Sequence, residues 1–447
     1  VPLDPAGGVE FATMLGESLR RLLGAVALVR SRDLTESLGV NPSRLARAMW
    51  RERLESASSA VVYLASSEFD TWTEECVHQC DVIVWVADAG ASPEIRAIER
   101  EVRRREASVP RRSELVLLHD ASTSLPRGTR RWLAPRQVDR HHHVRVDRTT
   151  DVDRVARLLT GRGIGVVFGG GGARGVAHIG VVRALRARNI PIDATAGVSI
   201  GAIIAGAVAR GDSTDDLIAE IRASVVEQSP VDVTLPTVSI ASGRRVTRNI
   251  RDGAQGADVE DTWLNFRCVS ANLTQGCLEV HESGPAWAAV RSSFAVPGLF
   301  PPMANANGDV LVDGGVLDNL PVTALRAAHA GVRVIAVDVG VQHDPVAMAV
   351  PPDGIVSGWR FLASTLRARA FGNLTTLPKL LLRLTELGSL NAADVGDCYV
   401  RPKLDGISLL DFGKFDELVS RGERDAGEAL DAWLLDESTI DLRDHES

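Results

Sequence analysis

Residues 165–185 read GVVFGGGGARGVAHIGVVRAL: an apolar run, four glycines, then apolar positions spaced as on a helix. A glycine-rich loop between a strand and a helix presents bare backbone N–H groups and the positive end of a helix dipole, so it favours an anion. Two anions fit such a loop. One is the pyrophosphate of a bound dinucleotide; the other is the oxyanion that forms while a nucleophile attacks a carbonyl.

Gly170-x-Gly172-x-x-Gly175 matches the dinucleotide fingerprint, with an acid, Asp193, about 20 residues on. That acid should end the second strand, where it reaches the ribose. Asp193 instead precedes the next strand, ATAGV (194–198), which places it at the wrong edge of the sheet. The strand runs into Gly197-Val198-Ser199-Ile200-Gly201. G-x-S-x-G at a strand-to-helix junction is a nucleophile elbow, whose turn leaves no room for side chains beside the serine. Both loops then share one sheet edge, so the amides of Gly170, Gly171 and Gly172 face the Ser199 hydroxyl. An anion site beside a nucleophile is an oxyanion hole, and one such donor is worth about 2.7–4 kcal/mol in the transition state.

A serine needs a base. Asp313-Gly314-Gly315 ends the apolar run DVLVD (309–313) and puts a carboxylate at the same edge, although Asp-Gly-Gly is also an ordinary turn. His178, one helical turn past the glycine loop, is the rival. A His-Ser-Asp chain order belongs to a different fold, and a direct Ser–Asp pair is simpler. It requires a desolvated pocket that raises the Asp pKa.

Composition sets the frame. The 447 residues are enough for two or three domains, and 45% hydrophobic and 24% charged residues are ordinary for a globular protein. A formal net charge of −8 argues against nucleic-acid binding. Five scattered cysteines fit a reducing, cytoplasmic compartment rather than a disulfide framework. Neither Cys76-x-His78-x-Cys80 nor His141-His142-His143 has a second set of ligands nearby; the first reads as a buried helical face and the second as the start of a strand. No metal, cofactor or nucleotide is expected. No apolar window is long enough to span a bilayer, and no signal peptide precedes the first domain.

The pattern along the chain divides it into three. Residues 1–158 alternate strand-like runs (24–29, 60–65, 81–89, 114–120) with helical patterns such as PEIRAIEREVRRREA (93–107), the sign of a small α/β domain with a mostly parallel sheet. It has neither a phosphate loop nor a nucleophile motif and reads as a scaffold or docking domain. A second α/β block, 159–345, carries the strands 164–168, 194–198, 266–273, 277–282, 309–313 and 332–339. Helical patterns at 176–189, 200–210 and 214–227 lie between them. Residues 346–447 read as a helical extension, and the Arg-rich stretch 127–148 as the hinge between the first two parts.

GGGARG (170–175), GVSIG (197–201) and DGG (313–315), in this order and spacing, resemble the patatin-like phospholipase family, as do VRSSFAVPGLFPP (290–302) and DGGVLDNLPV (313–322). The blocks DTWTEECVHQCDVIVWVADA (70–89) and HHHVRVDRTTDVDRVARLLTG (141–161) are similar to the region preceding the catalytic domain in its neuropathy target esterase branch. The resemblance implies a patatin-like serine hydrolase fold, a mostly parallel sheet flanked by helices, behind a smaller α/β domain. It implies Ser199 as nucleophile and Asp313 as base, with Gly170, Gly171 and Gly172 forming the oxyanion hole and Arg174 shaping it. The implied substrate is a lysophospholipid or phospholipid ester; a general carboxylesterase or a silent lipid-binding module on the same fold is the alternative. Members of that branch carry cyclic-nucleotide-binding-like domains upstream and sometimes a membrane anchor, and neither is found here. Residues 354–385 hold five basic and no acidic residues among apolar ones such as Trp359, Phe361 and Phe371, a pattern suited to the inner membrane face.

Overall fold

The computed structural model describes residues 1–39, 42–106, 111–228, 231–235, 237–340, 396–409 and 411–444. The candidate membrane segment 354–385 lies outside these residues. In the N-terminal part, β1 (Val26–Arg30) pairs in parallel with β2 (Ala60–Leu64). A second parallel sheet is formed by β3 (Val82–Asp88), β4 (Arg112–His119) and β5 (Arg140–Arg145). The helix Pro5–Leu23 sets Phe11, Leu15 and Leu19 on one face at a spacing of four. They meet Val86, Val116 and Val144 of the strands and Val152 and Val155 of the helix Thr149–Leu159 in one core.

The third sheet, in the part that follows, has eight strands. Five run parallel: β6 (Ile164–Phe168), β7 (Ala194–Gly197), β8 (Asn265–Asn272), β12 (Arg333–Val337) and β13 (Cys398–Val400). β9 (Cys277–His281) and β11 (Val310–Asp313) run antiparallel to β8, and β10 (Met303–Ala304) antiparallel to β11, in an overall order β10-β11-β8-β7-β6-β12-β13 with β9 against β8. Every residue of β6 and β7 is buried, as expected where helices cover both faces.

This register brings the two sequence motifs together. Gly197, the last residue of β7, pairs with Cys268 of β8, and Asp313, the last residue of β11, pairs with Ser270 two positions further on. A parallel and an antiparallel strand thus end at neighbouring positions along β8, and their following residues meet there.

Two expectations change. Residues 127–148 do not form a hinge: they contain the helix Thr129–Leu133 and β5, and they fasten the two parts together. Thr129 N–H donates to Asp261 at 2.9 Å, Arg127 to the Gln255 carbonyl at 2.7 Å, and the Trp263 indole to the Ser124 carbonyl at 3.1 Å. The His141 and His143 Nε2–H groups both donate to the Glu260 carbonyl, at 3.1 and 3.0 Å. The arginines read as a polar linker because charge counts do not show which residues find partners. The C-terminal part is likewise not purely helical, since β13 pairs with β12 and completes the sheet before the helix Phe415–Asp444 packs on Ala177–Ala187.

Candidate active site

The elbow is built by excluded volume. A Cβ on Gly197 would lie 2.3 Å from the Gly201 carbonyl oxygen, and one on Gly201 would lie 2.1 Å from that of Phe168. Gly175 faces Ile200 Cγ2 in the same way, at 2.2 Å. Between these contacts Ser199 adopts φ 56° and ψ −127°, a conformation that costs a non-glycine residue roughly 1–3 kcal/mol and is held by its surroundings. Its N–H donates to Ser293 Oγ at 3.0 Å, and the helix Ile200–Arg210 starts at the next residue. Ser199 is 6% exposed.

Asp313 sits beside it, almost wholly buried. Its Oδ1 accepts the Gly315 N–H at 2.9 Å, while Oδ2 is buried without a hydrogen bond of regular geometry. Burial pushes the carboxyl pKa from 3.8 up to about 6, against the opposing pull of the nearby Ser199 hydroxyl and the Gly315 N–H. Gly314 makes the approach feasible: a Cβ there would stand 2.5 Å from the Val269 carbonyl oxygen and 2.9 Å from Val198 Cγ2.

The glycine loop closes over the pair, and a Cβ on Gly170 would come within 3.3 Å of Ser199 Cβ. Its amides are not equivalent. Gly170 N–H donates to the Asn319 carbonyl at 3.3 Å and Asn319 Nδ2 donates back to the Gly170 carbonyl at 3.2 Å, so Gly170 is clamped rather than free to bind an oxyanion. The N–H groups of Gly171 and Gly172 make no hydrogen bond among the described residues. Gly172 takes φ 54°, and a side chain there would strike the Leu409 carbonyl oxygen at 2.4 Å. Arg174 is buried and donates from Nε to the Ile407 carbonyl at 2.7 Å; it ties the loop to residues 404–409. It shapes the loop from behind.

His178 is not placed as a base for Ser199. Its Nε2 hydrogen-bonds the Gly169 carbonyl at 2.8 Å, so that nitrogen carries the proton, and its ring packs edge-on to Phe168. Burial lowers its pKa to about 4. Asp193, at the opposite edge of the sheet, is taken up by Arg157 at 2.6 and 2.9 Å and by the Ile164 N–H at 2.9 Å. Cys76 is buried in the helix Thr71–Gln79 and His78 faces solvent. The sequence reading did not single out Ser293 and Asn319, which position the elbow and the glycine loop. Their only signal was their place inside the stretches 290–302 and 313–322.

With a serine in a strained elbow, a buried carboxylate beside it and a glycine loop above, the comparisons with known proteins agree in kind. A family model described as patatin-like phospholipase matches residues 166–326, and one described as the neuropathy target esterase family P-loop like domain matches residues 6–162. The chain joins a patatin domain to a neuropathy target esterase P-loop-like domain. No lysine precedes residue 379, and no G-x-x-x-x-G-K-[ST] motif is present in the sequence.

Among relatives of this chain, "Lysophospholipase NTE1" of Yarrowia lipolytica is 32% identical over 83% of this chain and 30% of its own length. "Lysophospholipase NTE1" of Coccidioides immitis is 31% identical over 95% of this chain and 31% of itself. "Patatin-like phospholipase domain-containing protein ZK370.4" of Caenorhabditis elegans is 31% identical, over 85% and 32%. The chain thus spans about a third of the length of the curated relatives it matches. The solved structure of VipD from Legionella pneumophila covers 60% of this chain and 67% of its own at a TM-score of 0.36 and 16% identity, too loose a superposition to bear on the fold.

Proposed function

We propose that this chain is a serine acyl hydrolase that cleaves the carboxylic ester of a lysophospholipid or phospholipid through Ser199 and Asp313. The observation that carries the proposal is the pairing of a strained, nearly buried serine with a carboxylate whose pKa burial has raised to about 6. Such a carboxylate is charged at neutral pH yet basic enough to accept the serine proton. Ser199 Oγ attacks the ester carbonyl, and the Gly171 and Gly172 N–H groups receive the developing oxyanion. Asp313 passes the proton to the leaving alcohol, then activates a water that hydrolyses the acyl-enzyme. The relatives named lysophospholipase support the choice of lipid ester.

A lipid substrate is met at a membrane surface. No helix among the described residues is long and apolar enough to cross a bilayer. We assign membrane contact to the face where Val233, Leu235 and Val238 are 79, 77 and 68% exposed, beside Arg244, Arg245 and Arg248 on the outer side of the helix Arg244–Gly253. Apolar side chains flanked by arginines suit an anionic leaflet. All five cysteines are free, which supports a cytoplasmic site for the reaction.

Fluorophosphonate labelling tests the proposal, with the modified peptide mapped by mass spectrometry and Asp313→Asn alongside. Labelling of Ser199 that Asp313→Asn abolishes or strongly slows is expected. An unlabelled Ser199 in the presence of lipid vesicles would overturn it in favour of a silent lipid-binding module.

A further inference from the structure

A cleft opens beside the elbow and runs along the helix that follows it. Ile200, Ile203, Gly206 and Arg210 line it at spacings of three, three and four, so a single side of the helix Ile200–Arg210 forms one wall from end to end. Val290 and Phe294 face it at the end near the nucleophile, since Phe294 follows Ser293, whose hydroxyl holds the Ser199 N–H. Ten residues of helix span about 15 Å, the length of a medium fatty acyl chain. The space is about 780 Å³ with its open mouth included. It is a narrow slot, suited to a polymethylene chain and too tight for a headgroup.

The far end is chemically different from the walls. Arg210 Nη2 contacts Asp212 Oδ2 at 2.5 Å and Glu220 Oε2 at 2.7 Å. Gly253 closes against this cluster from the other side, where a Cβ would lie 2.4 Å from Glu220 Oε1. Arg210 Nε is buried without a hydrogen-bond partner, and the Glu220 carboxyl, largely desolvated, has a raised pKa. A methyl terminus that stops short of this cluster is buried among isoleucine, valine and phenylalanine. One that reaches further must strip water and partners from Arg210 and Glu220, the two charged groups that line the slot there, which apolar contact does not repay.

We propose that this slot binds the acyl chain of the substrate and that the Arg210–Asp212–Glu220 cluster at its floor is the ruler that sets the longest chain accepted. This inference rests on the acyl-hydrolase reading of Ser199 and adds a specificity determinant to it. Gly206, midway along the wall, is the complementary position: a Cβ there would approach Phe266 Cζ at 3.4 Å, so any larger side chain projects into the slot.

The test is a kcat/KM profile over p-nitrophenyl esters of graded saturated acyl length, for the unaltered chain, for Gly206→Leu, and for Arg210→Leu combined with Glu220→Leu. Gly206→Leu is expected to cost long-chain esters on the order of tenfold or more while sparing short ones. The double variant is expected to move the fall-off to longer chains. Fluorophosphonate labelling of Ser199 is measured on each protein, and calorimetric binding of free fatty acids of the same lengths supplies a readout that needs no turnover. If Ser199 labels in every protein and neither profile nor binding order moves, the ruler is wrong and the hydrolase stands. If Ser199 never labels, the hydrolase reading falls, and the length-dependence of fatty-acid binding in the two variants alone decides the slot. Should Gly206→Leu not fold, the double variant decides by itself.

Discussion

Replacing Asp313 by Asn should slow turnover sharply and stabilise the protein, and the stabilisation should depend on pH in a defined direction. The carboxyl group titrates at 3.8 when exposed and at about 6 when folded. A raised acid pKa means that the native state holds a proton that the unfolded chain has released. The corresponding stability is fully present below 3.8 and is lost as the pH rises through about 6. Two pKa units at 1.36 kcal/mol each put the penalty of carrying the charged carboxylate at about 3 kcal/mol at pH 8, and under about 1 kcal/mol near pH 4. Asn keeps an oxygen for the Gly315 N–H and offers an amide to Ser199, but it never ionises. Urea unfolding of both proteins at the two pH values, compared at equal m, should show Asp313→Asn more stable by about 3 kcal/mol at pH 8 and nearly equal near pH 4. Activity should fall by about 10²–10⁴-fold. A gain that is the same at both pH values, or a loss at pH 8, would show that the buried carboxylate is not the strained base described above.

Other outcomes follow from the same geometry. Ser199→Gly should be more stable than Ser199→Ala by about 1–2 kcal/mol in denaturant unfolding, both being inactive, because only glycine adopts φ 56° without strain. The junction between the two parts should loosen in acid. Burial depresses the His119 and His141 pKa values to about 4 and that of His143 further, so the stability they lend is present above about 6.5 and lost as pH falls toward 4. Hydrogen exchange, corrected for its intrinsic pH dependence, should rise at 124–129 and 260–263 below pH 6 while β7 stays protected. Reversing Arg244, Arg245 and Arg248 to Glu should weaken binding to vesicles containing phosphatidylserine by at least about a hundredfold, the loss of about 1 kcal/mol for each of three arginines. Hydrolysis of a soluble short-chain ester should not change.

The sequence by itself determined the local elements and the glycine-flanked serine of the elbow. The strands at 164–168 and 194–197 and the helix 200–210 were legible because apolar period and glycine punctuation are local properties of the chain. The elbow was legible for the same reason, since Gly197 and Gly201 are demanded by contacts within a few residues and with the adjoining strand. What only the tertiary structure decided was which groups remain free once the chain has folded. Gly170, Gly171 and Gly172 look alike in sequence, yet the carbonyl of Asn319, 149 residues away, takes the first amide and leaves the other two. His178 and Asp313 were both candidate bases, and the pairing of β11 with β8 brought one to the serine while a carbonyl claimed the other. The stretch 127–148 read as a linker until the partners of Arg127, Thr129, His141 and His143 on residues 255–261 came into place. Backbone preference is set by neighbours in the chain, whereas the availability of a hydrogen-bonding group, and the pKa of a buried one, are set by neighbours in space.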